Sequence, residues 1–194
     1  YSADSMSRYT IAAINSILDR AGIQRVLLSS TPNEGTLKLY EANPTRFVPE
    51  FRPYRNGGET GNWFTDPGIV PFVEQGLQRG VPYKGIGEFH LYGDQAKTPF
   101  VKRIVDLAVE RNLVLHAHSD AEAIENIFAL NPRAKILWAH TGMSTPIATV
   151  EKLLARYPNL WSELALRYDV ASGGELDPAW RALFIKFPDR FMYG

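Results

Sequence analysis

Residues 112–140 read NLVLHAHSDAEAIENIFALNPRAKILWAH. The stretch falls into three pieces. An apolar run closes in His-Ala-His. Apolar residues at helical spacing follow (Ile124, Ile127, Phe128), and after Asn131-Pro132 comes a second apolar run, KILWAH. Short, nearly continuous apolar runs are typical of strands covered on both faces, whereas the 3.6-residue period marks a helix packed on one side. Ser119-Asp120-Ala121-Glu122 has the form of a capping box, with the serine as the cap. A strand–helix–strand unit of this size predicts parallel strands.

Outward from this unit the pattern repeats. Further strands are expected at 24–30 (QRVLLSS), 46–54 (RFVPEFRPY), 83–90 (YKGIGEFH), 160–166 (LWSELAL) and 190–194 (RFMYG). Helical faces lie between them: Ile11, Ile14, Ile17 and Leu18; Phe100, Ile104 and Leu107; Ile147, Val150 and Leu154. Asp66-Pro67 and Asp177-Pro178 have the form of an N-cap followed by proline at the first helical position. Asn43-Pro44 and Tyr157-Pro158 punctuate helix ends. The irregular stretch 55–65 (RNGGETGNWFT) is expected to be a mobile loop where a lid could sit. Seven strands alternating with helices, without a glycine-rich dinucleotide or P-loop fingerprint, predict an α/β chain of the TIM-type (β/α)8 barrel class. A complete barrel needs about 250 residues. At 194 residues the chain is expected to be an incomplete barrel, one domain over 1–194, lacking its first strand and last helix.

Composition narrows the function classes. Lys plus Arg equals Asp plus Glu, so the net charge is zero. Nucleic-acid and membrane-surface proteins usually carry a basic excess, and neither partner is expected here. The sequence has no cysteine, which excludes disulfides and thiolate metal sites and favours a reducing compartment, the cytoplasm. No 18-residue apolar run and no basic-then-apolar leader is visible, so neither a membrane span nor a signal peptide is expected. The first residue is Tyr1, not Met.

The chemistry of such barrels sits at the C-terminal ends of the strands. All four histidines, His90, His116, His118 and His140, fall at the ends of three successive expected strands. Glu88 precedes His90 by two residues, and His116 precedes His118 by two. Residues i and i+2 of a strand share a face, so each pair points one way. Neutral imidazoles and carboxylates suit a borderline divalent metal, zinc first and manganese or iron as alternatives. His118 and His140 are the expected ligands. His90 and His116 are expected behind them as orienting residues. A histidine at a strand end is also commonly a hydrogen-bonded structural residue, and Glu88 could simply pair with a lysine or arginine. Arg52, Tyr54 and Arg167 lie near other strand ends. They are candidates for binding an acidic substrate group, against the alternative of anchoring loops.

Residues 113–120 (LVLHAHSD) resemble the fifth-strand segment of the amidohydrolase-related family, and residues 136–143 (ILWAHTGM) resemble its sixth-strand His-x-Gly motif. The resemblance implies His118 and His140 as metal ligands. GIGEFHLYGD, residues 85–94, is similar to the fourth-strand segment of related metal-dependent deoxyribonucleases, whose metal-binding glutamate falls on Glu88. RFMYG looks like the family's eighth strand, which normally runs on into an aspartate that binds metal and acts as general base. The family's first-strand His-x-His does not follow Tyr1, and that aspartate would come after Gly194. The chain is therefore expected to be a trimmed part of a longer polypeptide, holding about half of a ligand set, and by itself to bind metal poorly and be inactive.

The resemblance implies a metal-dependent hydrolase that directs an activated water at a C–N or C–O bond of a small carbonyl substrate. Glu88, His118 and His140 would be its catalytic residues, and a homo-oligomer is left open. Three rivals stand beside it. The first is non-oxidative decarboxylation of an unsaturated or aromatic acid, with Arg52 or Arg167 as carboxylate binder. The second is phosphodiester hydrolysis, suggested by the Glu88 segment alone. The third is a metal-free barrel acting as a binding protein.

Overall fold

The computed structural model describes residues 3–194. Its elements run α1 (Ala3–Arg8), α2 (Ile11–Arg20), β1 (Val26–Leu28), α3 (Glu34–Ala42), β2 (Phe47–Phe51), α4 (Ile69–Leu77) and β3 (Gly85–Leu91). Then come α5 (Pro99–Glu110), β4 (Val114–Ser119), α6 (Ala121–Leu130), β5 (Lys135–Trp138), α7 (Ile147–Arg156) and β6 (Leu160–Glu163). A small hairpin of β7 (Ala171–Ser172) and β8 (Glu175–Leu176), helix α8 (Pro178–Lys186) and strand β9 (Phe191–Met192) complete the order.

The main sheet has the strand order β1-β2-β3-β4-β5-β6-β9. The pairings β1–β2, β2–β3, β4–β5, β5–β6 and β6–β9 are parallel. Strands in sequential order with helices between them are the arrangement of a (β/α)8 barrel. Among the described residues the sheet has seven strands, one fewer than a closed barrel, so the expected incomplete α/β barrel is what the chain forms. No helix among the described residues is long and apolar enough to cross a membrane.

The chain divides into two compact units, Tyr1–Phe89 and His90–Gly194. In the first, β1 and β2 run in register from Val26↔Phe47 to Leu28↔Pro49, and β2 continues onto β3 at Glu50↔Gly85. Helix α4 lies directly on β2: a Cβ at Gly76 would collide with the Phe51 ring, so only glycine allows this approach. Phe51 also packs against Phe72 and Tyr83, with ring centroids 5.3 and 5.5 Å away. Helix α2 starts where Thr10 Oγ1 accepts from the Ala13 N–H at 3.1 Å, yet none of its residues is fully buried. Asp66-Pro67 does not open a helix as expected. Asp66 accepts from the Gly68 N–H in a turn, and α4 begins at Ile69. The lid expectation for residues 55–65 also needs correction. The segment forms two short 3-10 turns, Trp63 is 1% exposed against Phe89, and Arg55 is ion-paired to Glu59 and Asp66.

In the second unit, the amphipathic helices cover the strands. Thr98 Oγ1 accepts from the Val101 N–H, Pro99 fills the first helical position of α5, and Val101, Ile104, Val105, Leu107 and Ala108 are buried. Helix α6 is capped by Asp120, whose Oδ1 accepts from the Ala123 N–H at 2.8 Å, and not by Ser119 as the capping-box pattern implied. Asp177 caps α8 as expected, accepting from the Ala179 and Trp180 N–H groups. Leu115, Ala117, Ile136, Trp138 and Leu160 are fully buried on β4, β5 and β6. Each large apolar side chain among them contributes roughly 1.5–3 kcal/mol of burial energy. β5 stops at Trp138 and β6 at Glu163, short of their expected C-terminal ends, whereas β3 and β4 run one residue further than expected.

Candidate metal and catalytic site

Strand alternation sets the histidines. On β3 the residues Glu88 and His90 are half-buried while Phe89 and Leu91 are buried; on β4 the half-buried positions are Val114, His116 and His118. Both pairs therefore share a face, as the i, i+2 spacing predicts. His90 and His118 stack, with ring centroids 4.3 Å apart and planes 26° apart. His118 meets His140 edge-on, with centroids 4.8 Å apart and planes at 79°. The Tyr92 ring also meets His118 edge-on, with centroids 6.1 Å apart. Three imidazoles from the ends of three successive strands thus form one cluster. His116 is set two residues deeper on β4.

His140 reaches the cluster on unusual backbone. It follows β5 with φ 54° and ψ 17°, and Thr141, Gly142 and Met143 also have positive φ, at 47°, 67° and 58°. A left-handed conformation at a residue with a Cβ costs of order 1–3 kcal/mol and persists only when neighbours enforce it. The enforcing contacts come from the end of β6. Glu163 Oε2 accepts from the His140 N–H at 2.8 Å, the Thr141 hydroxyl donates to the Glu163 carbonyl at 2.7 Å, and Glu163 Oε1 accepts from the Ala165 N–H. Glu163 Oε2 also lies 3.1 Å from His140 Nδ1. Burial pushes the Glu163 carboxyl up, but hydrogen bonds from the His140 ring and backbone and from the Ala165 N–H pull it further down. The net position is below the usual carboxylate range. Glu163 is absent from the residues singled out by sequence. Its one signal there is a carboxylate at the end of a short, mostly buried strand.

Arg167 lies just beyond this strand with its guanidinium committed to structure. Nη1 donates to the carbonyls of Thr141 and Thr145 at 3.1 and 2.9 Å, and Nε and Nη2 pair with both oxygens of Asp169. The group also lies over the Trp180 ring at 4.7 Å, and Trp180 Nε1 donates to Asp169. Four of its five N–H groups are therefore engaged.

In the first unit, Arg52 Nη2 pairs with Glu88 Oε2 at 3.2 Å, and the Glu88 N–H donates to Ser29 Oγ. Asn33 holds the Arg52 backbone at both its N–H and carbonyl. Tyr54 is buried at 1% exposure, with its ring 6.3 Å from Trp63 and 5.8 Å from the Arg52 guanidinium.

The donor set has the chemistry a divalent ion requires. His90 and His118 offer two imidazoles of the kind a divalent metal takes, with ligand nitrogens within 4.8 Å of each other. His140 adds a third imidazole at the same cluster.

Parallel strands in series, with imidazoles and carboxylates gathered at their C-terminal ends, define a barrel enzyme. The Amidohydrolase family model matches residues 77–194, and the chain belongs to that family. Solved structures share the fold at low sequence identity. The 4-oxalomesaconate hydratase of Rhodopseudomonas palustris aligns with a TM-score of 0.62 at 12% identity, over 98% of this chain and 70% of its own. A probable 2-pyrone-4,6-dicarboxylic acid hydrolase from Acinetobacter baumannii, with citric acid bound, gives 0.63 at 14%, over 100% and 79%. Amidohydrolase 2 from Bifidobacterium longum subsp. infantis gives 0.58 at 13%, over 96% and 71%. No curated protein sequence matches this one.

Proposed function

We propose that the chain works in a metal-dependent hydrolase that adds water across a C–N or C–O bond of a small amide, lactone or ester. His118, His140 and Glu88 would hold the metal. His90, stacked on His118, would add a donor or orient that ring, and His116 would support it from deeper on the strand. The ion would be zinc, with manganese or iron as substitutes. Once bound, such an ion supplies Lewis acidity and makes a coordinated water acidic near neutral pH. The protein's own contribution is to fix the imidazoles before the ion arrives. The observation that carries this reading is the cluster itself: three histidines from three strand ends, with ring centroids 4.3 and 4.8 Å apart.

The decarboxylase reading requires an arginine that can take up a substrate carboxylate. Arg52 pairs with Glu88, and Arg167 spends its guanidinium on Asp169 and two carbonyls, which favours hydrolysis. The same family membership supports an enzyme, and the absence of cysteine fits work in the cytoplasm.

Elemental analysis of the purified full-length protein, beside its His118→Ala/His140→Ala variant, tests the metal. About one equivalent in the parent and little in the variant is expected. Turnover is then screened on amides, lactones and unsaturated acids. Carbon dioxide release from the acids, without hydrolysis of the others, would overturn the hydrolytic assignment.

A further inference from the structure

We infer that Glu163 is a positioning residue for His140, holding its ring through Nδ1 so that metal ligation falls to Nε2. This rests on the metal-site reading above. Three observations support it. Glu163 Oε2 faces the residue twice, accepting from the His140 backbone N–H at 2.8 Å and lying 3.1 Å from the ring Nδ1. The carboxylate is 7% exposed at its side chain, so water competes little for that nitrogen. Its other oxygen is tied to the Ala165 N–H, which prevents the group from swinging away.

The surroundings lock the arrangement further. Thr141 donates to the Glu163 carbonyl, and Arg167 holds the carbonyls of Thr141 and Thr145. The turn bearing His140 is thereby fastened to Glu163 at His140 and Thr141, and to Arg167 at Thr141 and Thr145. In water a neutral imidazole carries its proton mainly on Nε2. A carboxylate at Nδ1 reverses that preference, placing the proton on Nδ1 and the lone pair on Nε2. A metal-ligating histidine is usually oriented by such a carboxylate or carbonyl, and loss of the partner typically lowers metal affinity about 10–100-fold.

The test reads the tautomer directly. Long-range 1H–15N correlation spectra of the metal-free full chain are recorded at about pH 8, where histidines are neutral. His140 is assigned by its loss in His140→Asn. The expected result is a proton on Nδ1 of His140 in the parent and a shift to Nε2 in Glu163→Ala. Zinc affinity, measured by competition with a chelator, should fall about 10–100-fold in Glu163→Ala and recover at least partly in Glu163→Gln, whose amide oxygen can still accept from Nδ1. A parent His140 protonated on Nε2 overturns the proposal whatever the variants do, so a misfolded Glu163→Ala does not protect it. A parent with the Nδ1 proton that binds no zinc leaves Glu163 as the orienting group and removes the metal reading. A parent that binds zinc equally well with Ala at 163 overturns the positioning role and leaves the metal reading standing.

Discussion

The Arg52 guanidinium meets the Glu88 carboxylate at 3.2 Å, and both side chains are about four-fifths buried, at 17% and 21% exposure. This pairing gives Arg52 a task other than substrate capture. Truncation in Arg52→Ala leaves a largely buried carboxylate without its charge partner. A fully buried pair loses roughly 3–5 kcal/mol on such truncation; the residual exposure here reduces the expected loss to about 1–2 kcal/mol. Urea denaturation of the variant checks this. A variant of unchanged stability whose KM for an acidic substrate rises instead would return Arg52 to the substrate.

Single substitutions at the cluster should separate its members. His118 touches both neighbouring imidazoles, so His118→Ala is expected to cost more metal affinity than His90→Ala. A ligand should cost well over 100-fold, and an orienting residue about 10–100-fold. Zinc competition measures both, and circular dichroism verifies that the fold survives. Equal small losses at the two positions would argue against His118 as the central ligand.

Gly142 sits at φ 67°, and a Cβ there would collide with the Trp138 ring and Thr145 Oγ1. Gly142→Ala therefore combines backbone strain with overpacking against a buried indole. A loss of roughly 1–3 kcal/mol is expected from the packing alone. Thermal denaturation measures it, and an unchanged midpoint would mean that the turn has another shape.

Acid should loosen the end of β6 through Asp169. Its hydrogen bonds with Arg167, aided by the Trp180 N–H and the Arg167 charge, outweigh burial and hold its carboxyl below the usual range. A carboxylate with a depressed folded-state pKa contributes fully above its unfolded value of about 4, and the contribution disappears as pH falls through the lower folded value. Asp169→Asn should thus be less stable than the parent at pH 7, and the gap should close as pH falls below the unfolded carboxylate value and through the lower folded one. A gap that stays constant with pH would show that the ion pair is not the cause.

Trp63 tests the order of residues 55–65. A mobile lid would tolerate Trp63→Ala, whereas an indole at 1% exposure should cost roughly 3–5 kcal/mol.

The barrel class was legible because it depends on periodicity. All seven expected strands are present, and the apolar spacing at Phe100, Ile104 and Leu107 lies within α5. The histidines were legible because i, i+2 spacing on a strand is a local property. The errors arise where tertiary contacts decide. Nothing local distinguishes Asp120 from Ser119 as the cap. Residues 55–65 look like a free loop because the aromatic ring that buries Trp63, Phe89, is 26 residues away in sequence. The role of Glu163 is not legible in the sequence for the same reason: it exists only once β5 and β6 lie side by side. Arg167 was noticed for its charge, but sequence alone could not show that its donors are used by Asp169, Thr141 and Thr145.

The left-handed run from His140 to Met143 limits what can be transplanted. Copying those four residues into another barrel would not carry the histidine's pose with them, since His140 and Thr141 are held from outside the segment. The portable module is discontinuous: Trp138 beneath the glycine, Glu163 and Arg167 across the adjoining strand, and Asp169 with Trp180 steadying the arginine. A designer who grafted all of these would move a shaped socket; one who grafted the turn alone would move only a flexible histidine.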